Sequence, residues 1–257
     1  MAVVLYEVRN GVAWVTMNRP EQLNAADRAM RTRLTEVFQE IDADDAVRIA
    51  VLLGAGARAF SAGFDLKEGP VPEAGQRGIL GQGALGPAET ILRVGKPTIA
   101  AIQGYCLGGS LDLALACDLR IASEDARLGA PEARWNLSDG IAAVLLPRIV
   151  PLGAAWDLIM RARQIDAQEA LDIHLVSEVV SHDRLKARAE ELANEIAEQA
   201  PLALRAMKAL VFEGLHSDLE KVNASQEKFM RLLANTEDAT EAFASFRERR
   251  PAEWRGR

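Results

Sequence analysis

A chain of 257 residues with 49% hydrophobic and 26% charged residues can bury a full core and reads as an ordinary globular protein, either one large domain or one domain with an appendage. Its formal net charge of −7 argues against a surface built for nucleic acid or for an anionic membrane, since both reward clustered Lys and Arg. An anionic ligand must therefore be held locally.

The opening residues, MAVVLYEVRNGVAWVTM, show no basic segment followed by an apolar run and a cleavage site. Nowhere do eighteen apolar residues run unbroken. A cytoplasmic location is the expectation. The same stretch alternates apolar and polar residues on either side of Asn10-Gly11, a pair that tolerates the positive φ angles of a two-residue hairpin turn. The pattern predicts antiparallel strands over Val3–Val8 and Val12–Met17. After the loop Asn18–Asn24, Met30, Leu34, Val37, Phe38 and Ile41 recur at helical spacing within Asp27–Ile41, and Ile49–Leu53 is a short apolar run ended by glycines.

Glu68–Leu85 (EGPVPEAGQRGILGQGAL) is rich in Gly and Pro, lacks periodicity, and reads as a mobile surface loop, with a lid over a ligand as one option. Thr98–Ile102 is a second buried-strand candidate. It leads through Gln103-Gly104-Tyr105 into Gly108-Gly109, a helix over Ser110–Cys117, a strand over Leu119–Ala122 and, later, a helix over Ala142–Ile149. From Asp183 the composition turns strongly helical, with helices predicted over Leu185–Gln199, Leu202–Phe212, Leu219–Leu233 and Glu237–Arg247. Such a tail on an α/β body suggests an appendage that packs elsewhere, including on another subunit.

Two glycine-containing turns stand out. In Ala59-Phe60-Ser61-Ala62-Gly63-Phe64-Asp65-Leu66-Lys67, small residues before Phe64 let a backbone N–H face open space; the plainer alternative is a tight turn. In Gly104–Asp112 a strand ends, two glycines occur and a helix begins; the first N–H groups of a helix lack internal partners and carry the positive end of its dipole, so the Gly109 N–H is well placed to hold a negative oxygen. Two such donors make an oxyanion hole. Neither segment fits a phosphate-binding or dinucleotide fingerprint. There is no Gly-x-Ser-x-Gly elbow, and His174, His182 and His216 all fall in the later half of the chain, so a serine hydrolase is not expected and the histidines read as surface or helix-end residues. Cys106 and Cys117 sit in apolar surroundings and read as reduced core thiols, with neither a disulfide nor a zinc site expected.

Taken in order, Phe60–Lys67, Lys96–Tyr105, Leu107-Gly108-Gly109, Ala116-Cys117-Asp118 and Ala130-Pro131-Glu132 resemble the crotonase superfamily, the enoyl-CoA hydratase/isomerase group, over roughly Leu5 to the C-terminus. The resemblance implies an α/β fold, a spiral of ββα turns over 1–198, followed by a helical oligomerisation region over 199–257 that assembles a homotrimer or a dimer of trimers. It further implies an acyl-CoA thioester as substrate, with coenzyme A arriving on that substrate and no metal, nicotinamide or flavin. The N–H groups of Phe64 and Gly109 match the family's oxyanion donors. Ala25, Arg58, Ala62, Asp65, Leu66, Lys67 and Gly108 match its substrate-binding segments, and Phe246 and Arg249 match a C-terminal aromatic and basic residue that help from the same or a neighbouring subunit.

The two acids of the family's hydratases correspond to Asp112 and Glu132, the first shortened by one methylene. Paired carboxylates suit hydration, because one deprotonates water for attack at Cβ while the other returns a proton to Cα. A carboxylate retracted by about 1.5 Å weakens that pairing, since misplacement of this order can cost about 10²-fold in rate. Dienoyl-CoA isomerases of the family use an aspartate and a glutamate at these places, and carnitinyl-CoA dehydratase-like members carry a further aspartate near Asp139 and Gly140. Asp139 is open between a supporting role at the site and a turn or helix-cap residue; Asp112 is open between a site acid and a first-turn acid favoured by the helix dipole. The expected activity is a lyase acting on 2-enoyl-CoA, with double-bond isomerisation and non-catalytic acyl-CoA binding as alternatives. Ile141-Ala142-Ala143 departs from the glycine-rich sequence usual in hydratases, and the added methyl groups are expected to narrow the acyl pocket.

Overall fold

Asn10 (φ 51°) and Gly11 (φ 77°) form the predicted turn between strands β1 (Val4–Arg9) and β2 (Val12–Met17), which pair antiparallel with Arg9 opposite Val12. The structure, a computed structural model, describes residues 2–68, 86–138 and 140–257. Helix α1 (Arg28–Ala43) begins where Asp27 accepts the Met30 N–H at 2.8 Å, and it buries the predicted stripe of Met30, Leu34, Val37, Phe38 and Ile41. Each of these large side chains, fully withdrawn from water, contributes about 1.5–3 kcal/mol.

From Ile49 to Gly129 the chain lays strands alternately into two sheets. Strands β3 (Ile49–Gly54), β5 (Thr98–Ile102), β7 (Leu119–Ser123) and β10 (Glu178–Val180) extend β2 in parallel, giving a sheet ordered β1-β2-β3-β5-β7-β10. The short strands β4 (Ala59–Ser61), β6 (Tyr105–Leu107) and β8 (Arg127–Gly129) run parallel in a second sheet that β9 (Gln164–Asp166) closes antiparallel. Three strand pairs, β3–β4, β5–β6 and β7–β8, are thus stacked as successive rungs, followed by helices α2 (Pro87–Arg93), α3 (Gly109–Ala116) and α4 (Gly140–Ile149). This is the ββα spiral that the resemblance implied. The second sheet is not legible in the sequence, because strands of three residues are too short to show a period of two.

Alternation along each central strand divides the core. Ile49, Val51, Ile99, Ala101 and Ile121 face helix α7 (Leu185–Ala197), while Ala50, Leu52, Ala100, Ile102 and Ala122 face the main core with α1 and α3. After α5 (Leu152–Arg161) and α6 (Ala167–Asp172), the tail forms α7, α8 (Pro201–Gly214), α9 (Leu219–Ala234) and α10 (Glu237–Glu248), within a few residues of the predicted bounds. Helix α9 buries none of its residues, and Met207, Val211, Leu219, Met230, Phe243 and Phe246 are all exposed. No described helix is long and apolar enough to cross a membrane.

Candidate active site

Strand β4 ends at Ser61, whose hydroxyl accepts the Gly63 N–H at 3.1 Å and so curls the chain back on itself. Gly63 follows at φ 95°, where a Cβ would lie 2.5 Å from the Leu107 carbonyl oxygen, so the residue can only be glycine and the two turns predicted from sequence are in contact. Ala26 N–H donates to Gly63 O (2.7 Å) and Asp65 N–H to Ala26 O (3.2 Å). In a parallel bridge of this kind the central residue, Phe64, directs its own N–H away from the partner strand.

Strand β6 ends at Leu107, and Gly108 (φ 60°, ψ −132°) turns the chain into α3. A Cβ on Gly108 would lie 2.6 Å from Glu132 Oε1, and one on Gly109 would lie 2.9 Å from the Phe64 ring. The glycine pair is therefore covered by Glu132 on one side and Phe64 on the other. Gly109 is the first helical residue, so its N–H has no carbonyl one turn back along the helix and carries the positive end of the dipole. Asp112, whose N–H donates to Gly108 O at 3.3 Å, follows Gly109 by one helical turn on the same face.

Glu132 opens a 3-10 turn (Glu132–Trp135) just beyond β8. Phe64, Gly109 and Glu132, distant in sequence, thus leave the carboxyl ends of three adjacent parallel strands, β4, β6 and β8, the end at which open parallel sheets assemble ligand sites. Asp112 and Glu132 are half-buried, and one oxygen of each, Oδ1 of Asp112 and Oε2 of Glu132, is shielded from solvent. The arrangement offers N–H donors for a developing oxyanion beside two carboxylates able to carry protons.

The remaining residues singled out from sequence fall in several places. Ala25 offers its carbonyl to the Arg19 guanidinium (2.5 Å), and Ala62 N–H donates to Leu23 O (2.9 Å). Arg58 is exposed and donates to Pro20 O (3.2 Å), while Leu66 and Lys67 are exposed on a 3-10 turn. The Asp65 carboxylate is engaged by Arg19 (3.0 Å) and by the Lys67 N–H (3.2 Å). Burial pushes Asp65 upward, but Arg19 and the Lys67 N–H outweigh it and leave the group below the usual carboxylate range. Phe246 is 84% exposed on α10, and Arg249 caps that helix at φ 55°. Gly140 opens α4, and Asp139 lies outside the described residues, as does most of the Glu68–Leu85 loop. Of the three residues after Gly140, Ala142 is in the core and Ala143 is exposed, leaving Ile141 alone half-buried.

Burial pushes both cysteines up to about 12, in keeping with inert core thiols. His182 pairs with Asp125 at 2.9 Å on the surface, and His174 and His216 lie at helix ends.

Sequence reading overlooked the polar residues that shape the first turn. Asn24, fully buried, accepts the Arg19 N–H (3.0 Å) and donates to Ala55 O (2.9 Å) and Ala59 O (2.8 Å). Gln103 donates to Gly54 O (2.7 Å), and the Ser110 hydroxyl lies 2.6 Å from Ser61 O. For Gln103 and Ser110 the available signal was a polar side chain within an apolar or glycine-rich segment; Asn24 lies among other polar residues and carried no such signal. The ring of Phe64 also carries the Arg31 guanidinium above it at 5.3 Å, and Arg31 in turn pairs with Glu68 (3.2 Å).

The profile of the enoyl-CoA hydratase/isomerase family matches residues 7–257, and the chain belongs to that family. Among curated relatives it is 39% identical to an (E)-benzylidenesuccinyl-CoA hydratase of Thauera aromatica over 98% of this chain and 99% of that one. It is 37% identical to a short-chain-enoyl-CoA hydratase of Clostridium acetobutylicum (97% and 96% covered) and 35% identical to a carnitinyl-CoA dehydratase of Proteus mirabilis (97% of each). Among solved structures, an enoyl-CoA hydratase from Bacillus anthracis superposes with a TM-score of 0.91 at 32% identity, covering 99% of this chain and 100% of the other.

Proposed function

We propose that the protein is an acyl-CoA lyase that adds water reversibly to a 2-enoyl-CoA, or removes it from a 3-hydroxyacyl-CoA. The observation that carries this reading is the meeting of Gly109, Phe64 and Glu132 at the ends of three adjacent strands. The Phe64 and Gly109 N–H groups receive the thioester oxygen as it becomes an enolate; one such donor is typically worth about 10²–10³ in rate. Glu132 moves the proton between water and substrate, and Asp112 orients the water. The full-length likeness to hydratases and a dehydratase supports the direction of this chemistry.

Arg58 and Lys67, exposed near the first turn, are suited to the diphosphate of coenzyme A, while the neighbouring Arg19 and Arg31 are paired with Asp65 and Glu68. Ala25, Ala62, Leu66 and Gly108 border the same path, with Asp65 acting through Arg19. Coenzyme A arrives as part of the substrate. The exposed apolar faces of α8, α9 and α10 support a homotrimer or homohexamer in which Phe246 and Arg249 reach a neighbouring copy's site.

The shortened Asp112 favours a second reading, double-bond isomerisation by carboxylates without water. Incubation with crotonyl-CoA and longer 2-enoyl-CoAs in deuterated water separates the two. Loss of the conjugated enoyl absorbance with a hydroxyacyl-CoA product is expected, and Glu132→Gln should lower kcat by at least about 10²-fold. A shifted double bond with no hydroxyacyl product favours isomerisation, and no reaction at any chain length overturns both.

A further inference from the structure

The ladder between β4 and β6 ends at the pairing of Ser61 with Cys106. Beyond it the two backbones stay close, Gly63 lying against the Leu107 carbonyl, as one runs on to Phe64 and the other to Gly109. A polar side chain bonds across this contact: Ser110, second residue of α3 and 1% exposed, lies with its hydroxyl 2.6 Å from Ser61 O and 2.9 Å from Leu107 O. A serine hydroxyl has one proton to donate. A serine buried at a helix start needs nothing beyond the local bond to the carbonyl three residues back. Here the shorter contact instead crosses to the other turn. Ser61 completes the link, since its own hydroxyl accepts the Gly63 N–H, so the chain of bonds runs from the start of α3 to the residue before Phe64.

We propose that Ser110 is a positioning residue that sets the separation of the Phe64 and Gly109 N–H donors by tying the Ser61 carbonyl to the start of α3. This rests on the oxyanion reading given above. Its consequence is kinetic. Donors aimed at the enolate oxygen act mainly in the transition state, so loosening them lowers kcat more than it raises KM.

The test compares Ser110→Ala and Ser110→Cys, the latter near-isosteric but a weak donor, with the parent protein. Loss of about 10- to 100-fold in kcat is expected for Ser110→Ala, from misplacement of less than about 1 Å. KM should stay within about threefold, and Ser110→Cys should fall between. The melting midpoint should drop by only about 2–6 °C; if Ser110→Ala fails to fold, Ser110→Cys carries the comparison. The second readout is the infrared carbonyl band of a 2-enoyl-CoA labelled with carbon-13 at the thioester, bound to Glu132→Gln protein to prevent turnover. A downshift in Glu132→Gln that shrinks when Ser110→Ala or Ser110→Cys is added supports the proposal. A downshift that persists unchanged overturns it, whatever happens to kcat. No downshift even in Glu132→Gln overturns the oxyanion reading itself, and the proposal with it.

Discussion

The two turns that meet at the site are held by opposite means. The first, around Gly63 and Phe64, is irregular backbone fastened by side chains from distant parts of the chain: Asn24 and Arg19 from the loop before α1, and Ser110 from the start of α3. The second, around Gly108 and Gly109, is held by backbone: its own glycines, the helix that follows, and the Gly108 N–H donating to Gly129 O at 2.9 Å. The first turn is therefore open to disruption by substitutions remote in sequence. The second is sensitive mainly to added atoms at the glycines themselves.

The largest effect is expected at the second turn. Gly108→Ala places a Cβ about 2.6 Å from Glu132 Oε1 and forces a side chain into φ 60°, ψ −132°. Displacing the acid by about 1 Å and re-aiming the Gly109 N–H should together lower kcat/KM by about 10³-fold or more. Circular dichroism should show the fold retained. A loss below about tenfold in the enoyl-CoA assay would show that this turn tolerates more than its backbone suggests.

A smaller effect, on stability first, is expected at the first turn. Asn24→Ala leaves the Ala55 and Ala59 carbonyls and the Arg19 N–H without their buried partner, which should cost about 2–4 kcal/mol in urea unfolding. If the first turn is as dependent on remote side chains as its bonds imply, kcat should fall alongside. Unchanged stability would erase the contrast between the turns.

The smallest effect is the share of the acid dependence carried by Asp65 in the first turn. Asp65 is below its ordinary value of 3.8 in the folded protein, so its link to Arg19 contributes fully above that value and is lost as pH falls through the folded value. Thermal unfolding followed between pH 6 and pH 2 should show Asp65→Asn flattening the acid limb of the stability curve. An acid limb identical to the parent would mean that Arg19 and Asp65 add nothing to the anchoring of this turn.

How much was legible beforehand differs between the same two regions. The second turn is written in adjacent letters: Leu107-Gly108-Gly109 after a buried strand and before a helix announces a backbone donor at a helix start, and the structure has that form. The first turn was recognisable as a motif. What shapes it was not, because Asn24, Gln103 and Ser110 read as ordinary polar residues until the fold brings carbonyls to them. Asp65 illustrates the same limit: as a sequence position it matched a substrate-binding segment, whereas in the structure its carboxylate is engaged with Arg19.

By itself the sequence determined the elements whose signal is local: the Asn10-Gly11 hairpin, the apolar stripe of α1, the buried strands of the large sheet and the helical tail. Each depends on periodicity or turn chemistry contained within a short window. Tertiary structure alone decided the second sheet and the convergence at its edge. Strands β4, β6 and β8 are each three residues long and exist because the rungs above and below supply their hydrogen-bond partners. The same stacking brings Phe64, Gly109 and Glu132 together, since pairing between rungs is a contact over long sequence separation that no local pattern encodes.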